Sequence, residues 1–182
     1  MWFLALIACS GGGSSGTLPA STYLPPWATH LEYEEVDATA LDGIEDTSTT
    51  LAHILHIGVS GDGDSWTWEV REGDDYATAS TVLTLGLSTA SGLEITSVDG
   101  TDLSPTLTLL SANYTVDEAV ASGDSSAKPT RLDTLNTWYG TFSNVVDIEV
   151  SGPTVATFKM AEGIGPVQFA WGDVAGDLAW YQ

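Results

Sequence analysis

His53 and His56 stand three residues apart in "LAHILHIGV" (51–59), a spacing that invites a metal ion. On a helix the two would share a face, but this stretch alternates like a strand, which sends residues three apart to opposite sides. His53 then sides with Leu55, Ile57 and Val59, and His56 with Ile54. The pair is therefore expected not to chelate one zinc ion, and neither a thiolate nor a third histidine is close in sequence. His53 reads instead as a hydrogen-bonded histidine on a mostly buried face.

Two aspartates, Asp62 and Asp64 in "GDGDS" (61–65), form the best cation candidate. Calcium wants several hard oxygens, and alternating Asp and Gly supplies carboxylates without crowding. The stretch lacks the spacing and the downstream glutamate of an EF-hand loop. Trp66 and Trp68 share one strand face next to this turn. They read either as core or as an aromatic wall for a lipid or sugar ring. Catalytic chemistry has little support. No G-x-S-x-G elbow is present, and no phosphate-binding glycine loop leads to a lysine. The chain is expected not to be an enzyme, and a hydrolase has no motif behind it.

These residues sit in an extremely acidic chain of 182 residues, with 25 Asp and Glu against 4 Lys and Arg and a formal net charge of -21. Such a charge repels phosphate backbones and anionic lipid headgroups, so no nucleic-acid partner is expected. Hydrophobic residues make up 43%, enough for a real core in one domain.

The elements that must position the candidates are strands. "WTWEVR" puts Trp66, Trp68 and Val70 on one face, and "TVLTLGL" groups Leu83, Leu85 and Leu87. "LEITSV", "NVVDIEV" and "PVQFAW" repeat the pattern with Leu93 and Ile95, with Val146, Ile148 and Val150, and with Val167, Phe169 and Trp171. In "DLAWYQ", Leu178 and Trp180 also fall on one face by strict alternation. Period-two patterning means one buried and one wet face. Turn chemistry separates the runs: "SGDGDS", "TASG", "VDGTD", "SGP" and "GDVAGD". Eight to ten strands are expected, and the helix candidates, 29–41 and 113–121, are weak. With little helix to cover it, the sheet must hide its apolar face by folding on itself, by packing on a partner, or by enclosing something apolar. The expected fold is mostly β, a single antiparallel sheet curled into a half-barrel, barrel or sandwich.

The N-terminus is of another kind. Trp2–Ala8 is apolar but only seven residues long, about 10 Å as a helix against a hydrocarbon core of about 30 Å. It suits the core of an export signal. Leu6-Ile7-Ala8-Cys9 resembles the lipobox of bacterial lipoproteins, an aliphatic residue and a small residue leading to the modified cysteine. The resemblance implies cleavage before Cys9, a diacylglycerol on its thiol and acylation of the new amino group. Two or three chains suffice for stable anchoring. No Lys or Arg precedes the apolar run, which a start upstream of Met1 would explain. Ser10 stands where an aspartate would mean inner-membrane retention, so the resemblance points to the bacterial outer membrane, the domain facing periplasm or cell surface. "SGGGSSGTLPASTYLPP" (10–26) reads as a tether that holds the domain about 20 to 25 Å from the anchor. The expected organisation is a signal segment over 1–8, the lipidated cysteine and tether over 9–26, and one β domain over 27–182.

The C-terminal half is similar to a group of uncharacterised exported bacterial proteins whose last strands carry an "apGvGlVk"-like motif. The matching pieces are "YGTFSNVVDIEV" (139–150), "MAEGIGPVQFAWG" (160–172) and "DLAWYQ" (177–182). The resemblance implies a fold and an envelope location, and no reaction. The function expected from all this is a membrane-anchored, non-enzymatic binding or structural module, holding an apolar ligand or an envelope protein partner. The rival expectation is an acidic surface module stabilised by calcium at Asp62 and Asp64.

Overall fold

Among the described residues, alternation of apolar and polar residues builds twelve strands, and the strands build one sheet. The structure is a computed structural model that describes residues 20–24, 30–36, 54–62 and 64–181. The strands are β1 (His30–Glu35), β2 (Ile54–Asp62), β3 (Ser65–Glu72), β4 (Ser80–Ser88), β5 (Gly92–Val98) and β6 (Thr101–Ser111), then β7 (Val120–Ser122), β8 (Ser125–Asn136), β9 (Thr141–Ser151), β10 (Ala156–Ala161), β11 (Gly165–Trp171) and β12 (Val174–Tyr181). Their order is β6-β5-β4-β3-β2-β1-β12-β11-β10-β9-β8-β7, and every pairing is antiparallel. Two runs of neighbouring strands are thus joined where the first strand pairs with the last. The turns fall where glycine and aspartate permit them. Asp99 and Gly100 both take positive φ, at 49° and 75°, which matches the twist of a tight hairpin between β5 and β6.

The sheet curls until its walls touch. Trp68 on β3 and Phe158 on β10 are five strand steps apart along the sheet, about 24 Å at the usual strand spacing. Their ring centroids are 6.1 Å apart, so opposite walls of the barrel meet through their side chains. Tyr33 on β1 meets Phe169 edge-on at 5.0 Å and donates its hydroxyl to the Pro166 carbonyl at 2.6 Å. The edge strands β6 and β7 approach without a continuous ladder; Thr108 donates its amide to the Ser122 Oγ at 2.9 Å. The barrel is nearly closed. Its interior is one contiguous cluster that includes Leu31, Tyr33, Ile57, Trp68, Leu93 and Phe158. Leu31, Tyr33, Leu93, Ile95 and Leu109 are 0% exposed, so no void large enough for water borders them.

The structure departs from the sequence reading in four places. The described residues form twelve strands where eight to ten were expected. His30–Glu35 is a strand, not the start of a helix, because Leu31 and Tyr33 alternate inward while His30, Glu32 and Glu34 face out. Residues 113–121 form turns and the start of β7, since Asp117 sits at φ 67°, incompatible with a right-handed helix. Finally, the stretch read as tether contains a 3-10 helix, Ala20–Tyr23; its Tyr23 and the following Leu24 are 2% and 5% exposed. Tyr23 and Tyr114 share a hydroxyl hydrogen bond of 2.8 Å, and Gly163 donates its amide to the Thr22 carbonyl at 2.8 Å. This segment closes one end of the barrel.

Candidate functional site on the outer face

Outside the barrel, β1, β2 and β3 carry a cluster of titratable side chains. Period two puts His30 and Glu32 on the outer face of β1, and register sets Glu32 opposite His56 of β2 and His56 opposite Arg71 of β3. His30 Nε2 lies 2.9 Å from His56 Nδ1, and their rings stack at 5.1 Å. Glu32 Oε1 is 3.8 Å from the same Nδ1. His56 Nε2 lies 2.9 Å from the Gly73 carbonyl oxygen. A carbonyl only accepts, so His56 Nε2 carries a proton, and Nδ1 is the ring nitrogen that faces His30 and Glu32. The donor atoms of His30, Glu32 and His56 all lie within 4.8 Å of one another. His56 is 2% exposed. Burial, and secondarily the neighbouring His56, hold the His30 imidazole below its ordinary pKa.

Aromatic and charged neighbours enclose the cluster. The Tyr76 ring, on the loop after β3, stands 4.7 Å from that of His30, and Trp180 of β12 meets His30 edge-on at 6.3 Å. Gly58, opposite His30 in the ladder, makes room for Tyr76: a Cβ there would overlap the Tyr76 hydroxyl. The Arg71 guanidinium lies 4.8 Å from the Tyr76 ring centre and donates to the Tyr76 carbonyl at 3.2 Å. It also donates from Nε and Nη2 to Glu69 Oε1 at 2.9 and 2.7 Å. The hydrogen bond from Thr81, then those from Arg71, hold the Glu69 carboxyl below the usual range.

A second polar system continues across the same face. Asp147, Lys159, Gln168, Asp177 and Glu34 are successive register partners on β9, β10, β11, β12 and β1, and all five are buried. The tip of the β8–β9 hairpin folds over them. Trp138 donates its amide to Asp177 Oδ2 at 2.7 Å, Tyr139 donates to the Leu178 carbonyl at 2.7 Å, and Gln168 Nε2 donates to Asp177 Oδ1 at 2.8 Å. Asn144, at φ 57° in β9, marks the bend that lets the tip turn back.

Apart from His56, the residues singled out from sequence do not gather on this face. Trp68 is 1% exposed in the core, and Trp66 packs half-buried against the same core. Asp64 is an exposed turn residue whose carbonyl accepts the Thr89 amide at 2.8 Å. Asp62 ends β2, and its side chain lies outside what is described. Cys9 and His53 lie outside the described residues. The partner that His56 does have is His30, 26 residues earlier, a neighbour only across the β1–β2 ladder. The sequence signal for it was the alternation of "HLEYEE", which also hid in a helix candidate. Trp180 is 40% exposed, facing away from Leu178, because a bulge between Glu32 and Tyr33 breaks the alternation of β12. Neither the known protein families, nor characterised proteins, nor solved structures contain a match to this chain.

Proposed function

We propose that this chain is a non-enzymatic, lipid-anchored module of the bacterial envelope, attached to the outer membrane through Cys9, that recognises an envelope partner with the outer face of its barrel. The observation that carries the recognition half is the contrast between the two faces. The concave side is filled by the chain's own side chains, among them Tyr33, Trp68 and Phe158, which leaves the outer face to do the binding. Half-buried His30 beside buried His56, with Tyr76, Arg71 and Trp180, offers that face the mix of aromatic and charged groups on which recognition draws. The anchoring half rests on the lipobox-like Leu6-Ile7-Ala8-Cys9 and the glycine-serine run behind it. Expression in a bacterium that processes lipoproteins, followed by mass spectrometry of the N-terminal peptide, tests it. Loss of residues 1–8 and a diacylglycerol on Cys9 are expected, with Cys9→Ser releasing the chain to the soluble periplasmic fraction. An unprocessed N-terminus with an unmodified thiol would overturn the anchoring.

A further inference from the structure

We infer that His30, Glu32 and His56 form a binding site for a divalent transition metal ion of the zinc class, held on the outer face where β1 pairs with β2. The inference stands on geometry alone and does not depend on how the chain is anchored.

Three features of the cluster suit it. The donor set, two imidazoles and a carboxylate, is one that zinc, nickel and copper accept and that calcium and magnesium, which prefer oxygen, do not. The spacing is close to what one ion requires. Tetrahedral zinc with bonds of about 2.0–2.1 Å sets its ligands about 3.3 Å apart. The observed separations around His56 Nδ1 are 2.9 Å to His30 Nε2 and 3.8 Å to Glu32 Oε1, which bracket that value. The third separation, between the His30 and Glu32 donors, is at most 4.8 Å, so the two half-buried side chains on β1 reach one ion by closing on each other by no more than about 1.5 Å. The orientation is set in advance as well. The bond from His56 Nε2 to the Gly73 carbonyl fixes the tautomer and the ring plane, the support that metal-bound histidines ordinarily receive from their second nitrogen.

The surroundings favour a cation. The chain carries a formal net charge of -21, so the field draws metal ions toward it. Asp75, on the same loop as Tyr76, acts on His30 electrostatically and adds negative charge nearby. The rings of Tyr76 and Trp180 flank His30 and limit its hydration. Three protein donors leave a further coordination position, for water or for a group supplied by a partner.

The test uses the whole chain, untagged and with Cys9→Ser so that the thiol cannot contribute. Zinc chloride is titrated by calorimetry in 0.15 M salt, and cobalt chloride is followed by visible absorption. One zinc per chain is expected, with a cobalt spectrum of nitrogen and oxygen ligation and no heat of the same magnitude from calcium. His30→Gln and Glu32→Gln, both at half-buried positions that leave the core untouched, should each weaken zinc at least tenfold. Asp64→Asn should leave it unchanged. If His56→Ala fails to fold, the two β1 variants still decide. Affinity unchanged in both of them, or several weak equivalent sites that calcium also fills, would overturn the inference and mark the binding as diffuse attraction to an acidic surface.

Discussion

The inside and the outside of this barrel use burial for opposite purposes. Inside, burial is apolar. Phe158 meets Trp68 and Trp171, Tyr33 meets Phe169, and the hydroxyl of Tyr33 is spent on one carbonyl. Outside, the buried side chains are those an alternating sequence would assign to water: His56, Asp147, Lys159, Gln168 and Asp177. The difference teaches where chemistry can sit. An interior filled with hydrocarbon contributes stability and little else, whereas polar groups withdrawn from water on the outer face are oriented by their hydrogen bonds and available at its rim.

Substitutions separate the two regions by size of effect. Phe158→Ala removes a ring that touches opposite walls and should cost about 3–5 kcal/mol in urea unfolding; a loss under 1 kcal/mol would mean the interior is loosely filled. Asp177→Ala orphans the Trp138 amide and leaves Gln168 Nε2 with only its longer bond to the Asn136 carbonyl, at a cost of about 2–3 kcal/mol. Its second signature, absent from Phe158→Ala at matched stability, is faster hydrogen exchange at Trp138 as the hairpin tip lifts. Gly58→Ala, which displaces Tyr76 from the histidine cluster, should cost about 1–2 kcal/mol, seen as a lower thermal midpoint.

Alkaline pH probes the end closed by Tyr23. Burial first, then the hydroxyl hydrogen bond shared with Tyr114, raises the Tyr23 pKa far above its ordinary value of 10. Above about pH 10 the unfolded chain releases that proton while the folded chain keeps it, so stability falls as pH rises. Tyr23→Phe should therefore lose less stability between pH 8 and pH 10.5 than the parent chain, measured as urea midpoints. Equal losses would show that this phenol is not sealed in. The smallest effect belongs to the surface. Arg71→Gln breaks a pair whose side chains are 25% and 33% exposed and should cost about 0.2–1 kcal/mol, less still at high salt.

Most of the fold was legible in the sequence. The five period-two runs are strands, their apolar faces line the interior, and "SGDGDS" is the hairpin between β2 and β3. What stayed hidden was set by pairing across distance. His30 reaches His56 through strand register, and register is a property of two strands together. Trp180 changed faces through a single bulge. Tyr23 and Leu24 looked like tether because prolines surround them, yet they bury against Tyr114 and the core. The buried polar row had no signal at all, because each member alternates correctly as a wet-face residue. Among the described residues, the β8–β9 tip bonds to Asp177 and to the Leu178 carbonyl and covers that part of the row.

The central claim, that the interior is filled and recognition belongs to the outer face, is tested most directly by native mass spectrometry of the whole Cys9→Ser chain exported to a bacterial periplasm. The account predicts a bare polypeptide mass that gains one zinc when zinc is supplied. An adduct of several hundred daltons that fragments as a lipid would contradict it, placing the binding site inside the barrel.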